Sequence, residues 1–171
     1  MTRALVLCLL GTDHHRFDRL VGWCDALATV HPDVDVLVQY GATTAPRVAR
    51  GSAFLGKQEL SDALARAHVA ICHGGPGLIS DVRAAGLVPL VVARDPQLGE
   101  HVDGHQQRFV RRFATTGAIV AVDREDELAE RVAKLLAAPR GEGLDQDADH
   151  ERVRASVSRF GRLVDELLAG R

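Results

Sequence analysis

Residues 72–81, Cys72-His73-Gly74-Gly75-Pro76-Gly77-Leu78-Ile79-Ser80-Asp81, carry the densest chemistry in the chain. Three glycines and a proline fall between an apolar run and an amphipathic one. Such a turn presents bare backbone N–H groups at the positive end of a helix, where an anion is stabilised. The spacing is neither the GxGxxG of dinucleotide-binding turns nor the Gly-Lys-Ser/Thr of a P-loop. His73 can donate to a phosphate or serve as a core or capping histidine. Asp81 falls about one helical turn on. A carboxylate there can take both hydroxyls of a ribose, or complement the helix N-terminus. A second turn, Leu10-Gly11-Thr12-Asp13, offers Gly11 for close backbone approach and the Thr12 hydroxyl. The same residue types also meet the steric needs of an ordinary strand–helix turn.

A third stretch runs from Arg94 to Gln107 and includes Gly99-Glu100-His101-Val102-Asp103-Gly104-His105-Gln106-Gln107. Side chains that both donate and accept suit a hydroxyl-rich ligand. His101 and His105, four residues apart, also have metal-ligand spacing, with Glu100 and Asp103 beside them and His14-His15 elsewhere in the chain. Against a metal, no strong third ligand is placed by the sequence, and Gly104 weakens a helix at that point.

These turns need a scaffold that brings them together. Strands are expected at Ala4–Leu10, Val34–Tyr40, Ala53–Leu55, Val69–Cys72, Val88–Val92 and Ala118–Val122, rich in Val, Ile and Leu with little polar alternation. Amphipathic helices are expected between them. Phe17, Leu20, Val21, Cys24, Leu27 and Ala28 form one face; Leu60, Leu64 and Ala67 form another; Leu128, Val132, Leu135 and Leu136 form a third. Thr12 or Asp13 is the expected cap of the first helix, and Gly86 the stop of the helix after Cys72. The alternation predicts an α/β fold, a Rossmann-like doubly wound parallel sheet over residues 1–138. Ligands of such sheets bind beyond the carboxyl ends of the strands, where all three stretches fall. Residues 139–150, rich in Gly and Asp, read as a linker. Val153, Val157, Phe160, Val164, Leu167 and Leu168 then line an amphipathic helix over 151–171, which packs on its own domain or crosses to a second domain or subunit.

The composition removes several function classes. The chain has 171 residues, 46% hydrophobic, enough for one domain with a sizeable core. With 21 Lys+Arg against 23 Asp+Glu, the net charge is −2, so the basic footprint of a nucleic-acid binder is missing. Three unclustered cysteines argue for a reducing, cytoplasmic setting rather than a disulfide framework. The apolar start at Ala4–Leu10 is too short for a signal peptide and leads into Gly11 to His15 without a cleavage site. No apolar stretch approaches the ~20 residues of a membrane span, so any membrane association is expected through a partner.

Taken together, the Gly11-Thr12 turn, the His73-Gly74-Gly75-Pro76-Gly77 loop, Asp81, and the Gly99-Glu100-His101 to His105-Gln106 stretch resemble, in order, the C-terminal donor-binding domain of GT-B glycosyltransferases of family 28. The resemblance covers about residues 4–138. It is strongest to the small subunits of split enzymes that lack the acceptor domain, such as the eukaryotic dolichol-linked UDP-GlcNAc transferase and bacterial exopolysaccharide counterparts. It implies a donor site for a UDP-sugar. Gly11, Thr12, His73, Gly74, Gly75 and Gly77 would surround the diphosphate, and Asp81, where relatives often carry Glu, would hold the ribose. Phe54 and Leu55 would hold uracil through the main chain. His105, Gln106 and Gln107, with Glu100 and His101 beside them, would contact the transferred sugar. No cofactor or metal is implied. Because the chain opens directly on the donor-domain strand, the acceptor and the general base are expected on a membrane-anchored partner subunit, with the final helix, Val153–Leu168, part of that contact. Three other readings stand beside it. One is a nucleotide-sugar binding module without transfer activity, and another a metallohydrolase using His14, His15, His101 and His105. The third, an NAD-linked enzyme, is disfavoured by the missing fingerprint and by the lack of an acidic residue ending the Val34–Tyr40 strand.

Overall fold

The computed structural model describes residues 3–141. Part of the expected 139–150 linker and all of the 151–171 helix lie outside the described residues. Six strands form one parallel sheet: β1 (Leu5–Leu9), β2 (Asp35–Gln39), β3 (Arg50–Ser52), β4 (Ala67–His73), β5 (Leu90–Val92) and β6 (Val120–Ala121), in the order β3-β2-β1-β4-β5-β6. Five helices cover it: α1 (Asp18–Val30), α2 (Lys57–Arg66), α3 (Pro76–Ala84), α4 (His105–Ala114) and α5 (Glu125–Ala137). The order reverses between β1 and β4, and the two chain directions away from that point leave a crevice at the carboxyl ends.

The sheet is buried on both faces because β1 alternates two apolar sets. Val6 and Cys8 face Leu20, Cys24 and Leu27 of α1 and Leu128 and Val132 of α5. Leu5, Leu7 and Leu9 face Leu64 of α2, Ile79 and Val82 of α3 and Val110 of α4. Each fully buried aliphatic side chain contributes about 1.5–3 kcal/mol, so this double-sided strand anchors the fold. All three cysteines are buried and unpaired. Burial pushes the Cys72 thiol up to about 12 and raises that of Cys8.

Several boundaries differ from the sequence expectation. The edge strand is Arg50–Ser52, not Ala53–Leu55. The Asp25 carboxylate accepts the N–H groups of Arg47, Val48 and Ala49, and Arg50 pairs with Asp35. The chain is thereby steered into the sheet before the apolar run begins. Ala67 opens β4 rather than closing a helix, paired with Leu5 in the sheet. The cap position of α1 is Phe17, not Thr12 or Asp13, and the Thr43 hydroxyl accepts its N–H at 3.0 Å. α4 was not anticipated, since only Gln106 and Val110 of it are buried. Gly86 follows α3 with φ +79, as a helix stop requires. Beyond α5, the Arg140 guanidinium donates to the carbonyls of Leu64, Ala67 and Ala85, so the start of the expected linker is tied to the sheet's underside.

Candidate functional site

The crevice begins with two turns that leave no room for side chains. Gly11 ends the β1 turn with φ +79. A Cβ there would stand 2.6 Å from His73 Nε2, and one on Gly75 would stand equally close to the same atom. The His73 ring, at the end of β4, is thus held between the two glycines. A Cβ on Gly74 would meet Val110 Cγ2 at 2.9 Å and Gln106 Cβ at 3.1 Å, so α4 closes on this turn from the other side. Gly75 caps α3 without a side-chain hydrogen bond and Pro76 occupies the first helical position. Pro76 has no N–H to give, and its fixed φ suits the helix start. A Cβ on Gly77 would meet nothing within 4 Å. Pro76 and Gly77 are exposed, so the first turn of α3 borders open space.

The β1 turn is held from β2. The Gln39 side chain, buried at the end of that strand, accepts the Gly11 N–H at 3.0 Å and donates to the carbonyls of Gly11 and Ala53 at 3.0 and 3.1 Å. It acts as a substitute strand segment. Gly41, with φ +56, lies so close to the Gly11 carbonyl that a Cβ would approach it to 2.6 Å. Neither residue stood out in the sequence, although a lone Gln ending an apolar strand is the mark it left.

Beside these turns stands a buried charge network. Arg94, 1% exposed at the end of β5, donates to the carbonyls of Leu10 (2.9 Å), His15 (2.8 Å) and Glu100 (3.1 Å). Its guanidinium lies over the Phe17 ring, 4.8 Å from the centroid. Burial, then the Arg94 charge, push the His73 pKa down to about 4, so its ring is neutral at pH 7. His73 Nδ1 is buried with no partner among the described residues. A neutral imidazole donates one hydrogen bond and accepts one, and this ring is gripped between two glycine turns with Gln106 beside it.

The third stretch divides. Glu100 is 4% exposed, and both its oxygens are occupied: Arg19 binds them at 2.9 and 2.7 Å, and the Asp95 N–H donates to one at 2.8 Å. Gln106 is buried against Gly74 and accepts the Arg94 N–H at 3.4 Å. His101, His105 and Gln107 lie nearer the surface. His105 donates through Nδ1 to Asp103 at 2.5 Å, and His15 through Nδ1 to Asp13 at 2.6 Å. Burial pushes the Asp13 carboxyl up, but the bonds from the His15 backbone and ring outweigh it and hold it at about 2. The His101 ring stacks on His15 at 5.5 Å and meets His105 edge-on at 4.6 Å. Asp13, His14 and His15 form one group with metal-ligand spacing, and His101, Asp103 and His105 another. In each, one ring nitrogen is already committed to its own aspartate.

Asp81 is exposed on α3 and lines a groove of about 540 Å³ between α2 and α3 with Lys57, Leu60 and Ser61. Phe54 is 64% exposed in the loop before α2, and its carbonyl accepts the Ser52 hydroxyl at 2.7 Å. Leu55 is half-buried and Thr12 is exposed. Thus Gly11, Gly74, Gly75, His73 and Gln106 form one contiguous packed cluster, while Asp81 and Phe54 stand on separate elements bordering α2.

A parallel sheet with this order, with two glycine turns meeting at its switch point, defines a Rossmann-like, doubly wound domain. Residues 6–159 match the Glycosyltransferase family 28 C-terminal domain, and the chain belongs to that family. It is 30% identical over 117 residues to the UDP-N-acetylglucosamine–N-acetylmuramyl-(pentapeptide) pyrophosphoryl-undecaprenol N-acetylglucosamine transferase of Azoarcus sp. (strain BH72), a match covering 67% of this chain and 32% of that protein. The chain spans about a third of the length of this relative. The glycotransferase of kitacinnamycin superposes with a TM-score of 0.67 at 19% identity, over 96% of this chain and 43% of its own. The spinosyn forosaminyltransferase SpnP superposes at 0.62 with 20% identity, over 95% and 44%. These likenesses establish the C-terminal domain of the GT-B fold, as the sequence resemblance implied. Among the described residues no helix is long and apolar enough to cross a membrane.

Proposed function

We propose that this chain binds the UDP-sugar donor of a glycosyltransferase and supplies the leaving-group half of the transfer of a hexose or hexose derivative. The observation that carries this reading is the first turn of α3, open at Gly77 and flanked by neutral His73 and Gly11. As the bond between sugar C1 and phosphate oxygen breaks, negative charge develops on UDP. Preoriented N–H dipoles stabilise that charge as it forms, so binding and release of UDP need no metal. Thr12 and Gly75 border the diphosphate, Asp81 takes the ribose hydroxyls, and the Phe54–Leu55 main chain receives uracil. His101, His105 and Gln107 face the sugar.

The acceptor, a lipid-linked or polysaccharide-precursor hydroxyl, is held by a separate acceptor domain on a membrane-anchored partner subunit. This chain then works on the cytoplasmic side of the membrane. The name of the Azoarcus relative, a UDP-sugar transferase with a polyprenyl-linked substrate, supports both the donor and the acceptor class.

Calorimetric titration with UDP in EDTA, with NAD as control, tests the reading. The expected result is UDP binding, silence with NAD, and loss of about 10–100-fold in affinity for Asp81→Ala, the scale of hydrogen bonds to a charged group. Absence of UDP binding would overturn it, and dependence on added metal would transfer weight to the histidine groups.

A further inference from the structure

We infer that Arg94, Glu100 and Arg19 form a buried charged strut that fixes the sugar-facing loop relative to the phosphate turn, and that Glu100 is a positioning residue rather than a sugar contact. This inference rests on the donor-site reading above.

The strut runs in two directions. From β5, Arg94 reaches across to Leu10 and His15, the carbonyls that bracket the Gly11 turn, and returns to the Glu100 carbonyl in its own loop. From that loop, the Glu100 carboxylate reaches to Arg19 in the first turns of α1, and Arg19 continues to the Ala93 carbonyl at 3.1 Å. Arg94 thus joins the loop to the Gly11 turn, and the Glu100–Arg19 pair joins the same loop to α1. The sequence separations of 74–84 residues exclude a local turn role.

Apolar side chains of equal volume would fill this space without the desolvation cost of two buried charges. They could not set direction. A planar guanidinium fixes several carbonyls at once, and a bidentate carboxylate pair fixes an angle as well as a distance. The residues carried by the strut are His101 through Gln107, whose backbone begins at Glu100. Since Glu100 is 4% exposed and its carboxylate is engaged by Arg19 and the Asp95 N–H, its effect on the sugar passes through the position of its neighbours. Placement of this kind sets how well a bound group is held in its productive geometry.

The test separates the two ends of the donor. Full-length chain is titrated with UDP, UDP-glucose, UDP-galactose and UDP-GlcNAc, and the gain of the tightest UDP-sugar over UDP is the readout. Glu100→Gln is expected to keep UDP affinity within about threefold and to abolish the sugar gain. Arg94→Lys, which retains charge but loses the fork, is expected to weaken UDP and UDP-sugar together by about tenfold or more. Arg19→Lys alters the same pair from its 23%-exposed end, and supplies the Glu100 test if Glu100→Gln fails to fold. A Glu100→Gln protein that retains the sugar gain overturns the inference. So does one that loses UDP and UDP-sugar affinity in equal proportion, or a wild-type chain that binds UDP but gains nothing from any of the three sugars. A wild-type chain that binds no UDP defeats the donor-site reading itself, and this inference with it.

Discussion

The two halves of the crevice are built on opposite principles. Around β1 and β4 the site is made of missing atoms: added methyl groups at Gly11, Gly74 or Gly75 would strike His73, Val110 or Gln106. Around the β5–α4 loop it is made of charges whose partners lie on distant segments. The first half tolerates no addition and the second no removal. On the proposed reading, backbone dipoles serve a group common to every donor of a class, whereas side chains on a loop fixed by charge pairs can distinguish one sugar from another. The division of labour follows from which kind of atom each half presents.

The contrast is sharpest for Arg94→Ala. It strips a cation from the interior and leaves the Leu10, His15 and Glu100 carbonyls without their donor. The expected loss is about 3–5 kcal/mol of stability in urea unfolding; a loss near zero would dissolve the contrast. Next comes the glycine pair. Gly75→Ala should cost about 1–3 kcal/mol, the usual price of overpacking, because the new methyl displaces the His73 ring. Gly77→Ala meets nothing in the chain and, within a helix, should add up to about 1 kcal/mol. Its UDP affinity should nonetheless fall about tenfold if, as proposed, the donor occupies that space. Stability and affinity moving together in both variants would refute the idea that one glycine serves the fold and the other the ligand.

Within the first half, two groups separate by pH. His73 has a folded pKa of about 4 against an ordinary 6.5, so the unfolded chain binds more protons between those values. Its contribution is complete above pH 6.5 and drains as pH falls towards 4, by at most about 1.4 kcal/mol per unit. Asp13, held at about 2 against 3.8, keeps its contribution above pH 3.8 and loses it between there and 2. Acid unfolding curves for His73→Asn and Asp13→Asn should each lack one window. At the small end, Phe54→Ala should leave UDP affinity within about twofold, because a side chain 64% exposed lends only its backbone.

How much of this was legible in the sequence follows the same divide. The glycine turns announce themselves because their constraint is local: a strand, three glycines, a proline and a helix fall within ten residues. The Rossmann-like parallel sheet was equally readable from the runs that form β1, β2, β4 and β5. The strut was not, since nothing near Arg94 or Glu100 says that Leu10 and Arg19 will meet them. The family resemblance set Glu100 beside the sugar contacts, and the sequence has no mark of the Arg19 partner that engages its carboxylate. The misplacement of β3 has a similar origin: Ala53–Leu55 is the more apolar segment, but Asp25, from α1, steers the preceding residues into the sheet. Gln39 looked like the end of a strand and acts as the clasp of its neighbour.

The buried cysteines make the molecule its own stopwatch. Cys8 and Cys24 lie in one core and Cys72 in the other, directly before His73. With the Cys72 thiol pushed up to about 12 by burial, almost none is thiolate at neutral pH. An alkylating reagent can mark it only when β4 leaves the sheet, so the labelling of each thiol, resolved by mass spectrometry, clocks the opening of its own face. A donor seated in the crevice should slow the Cys72 clock at least as much as the other two.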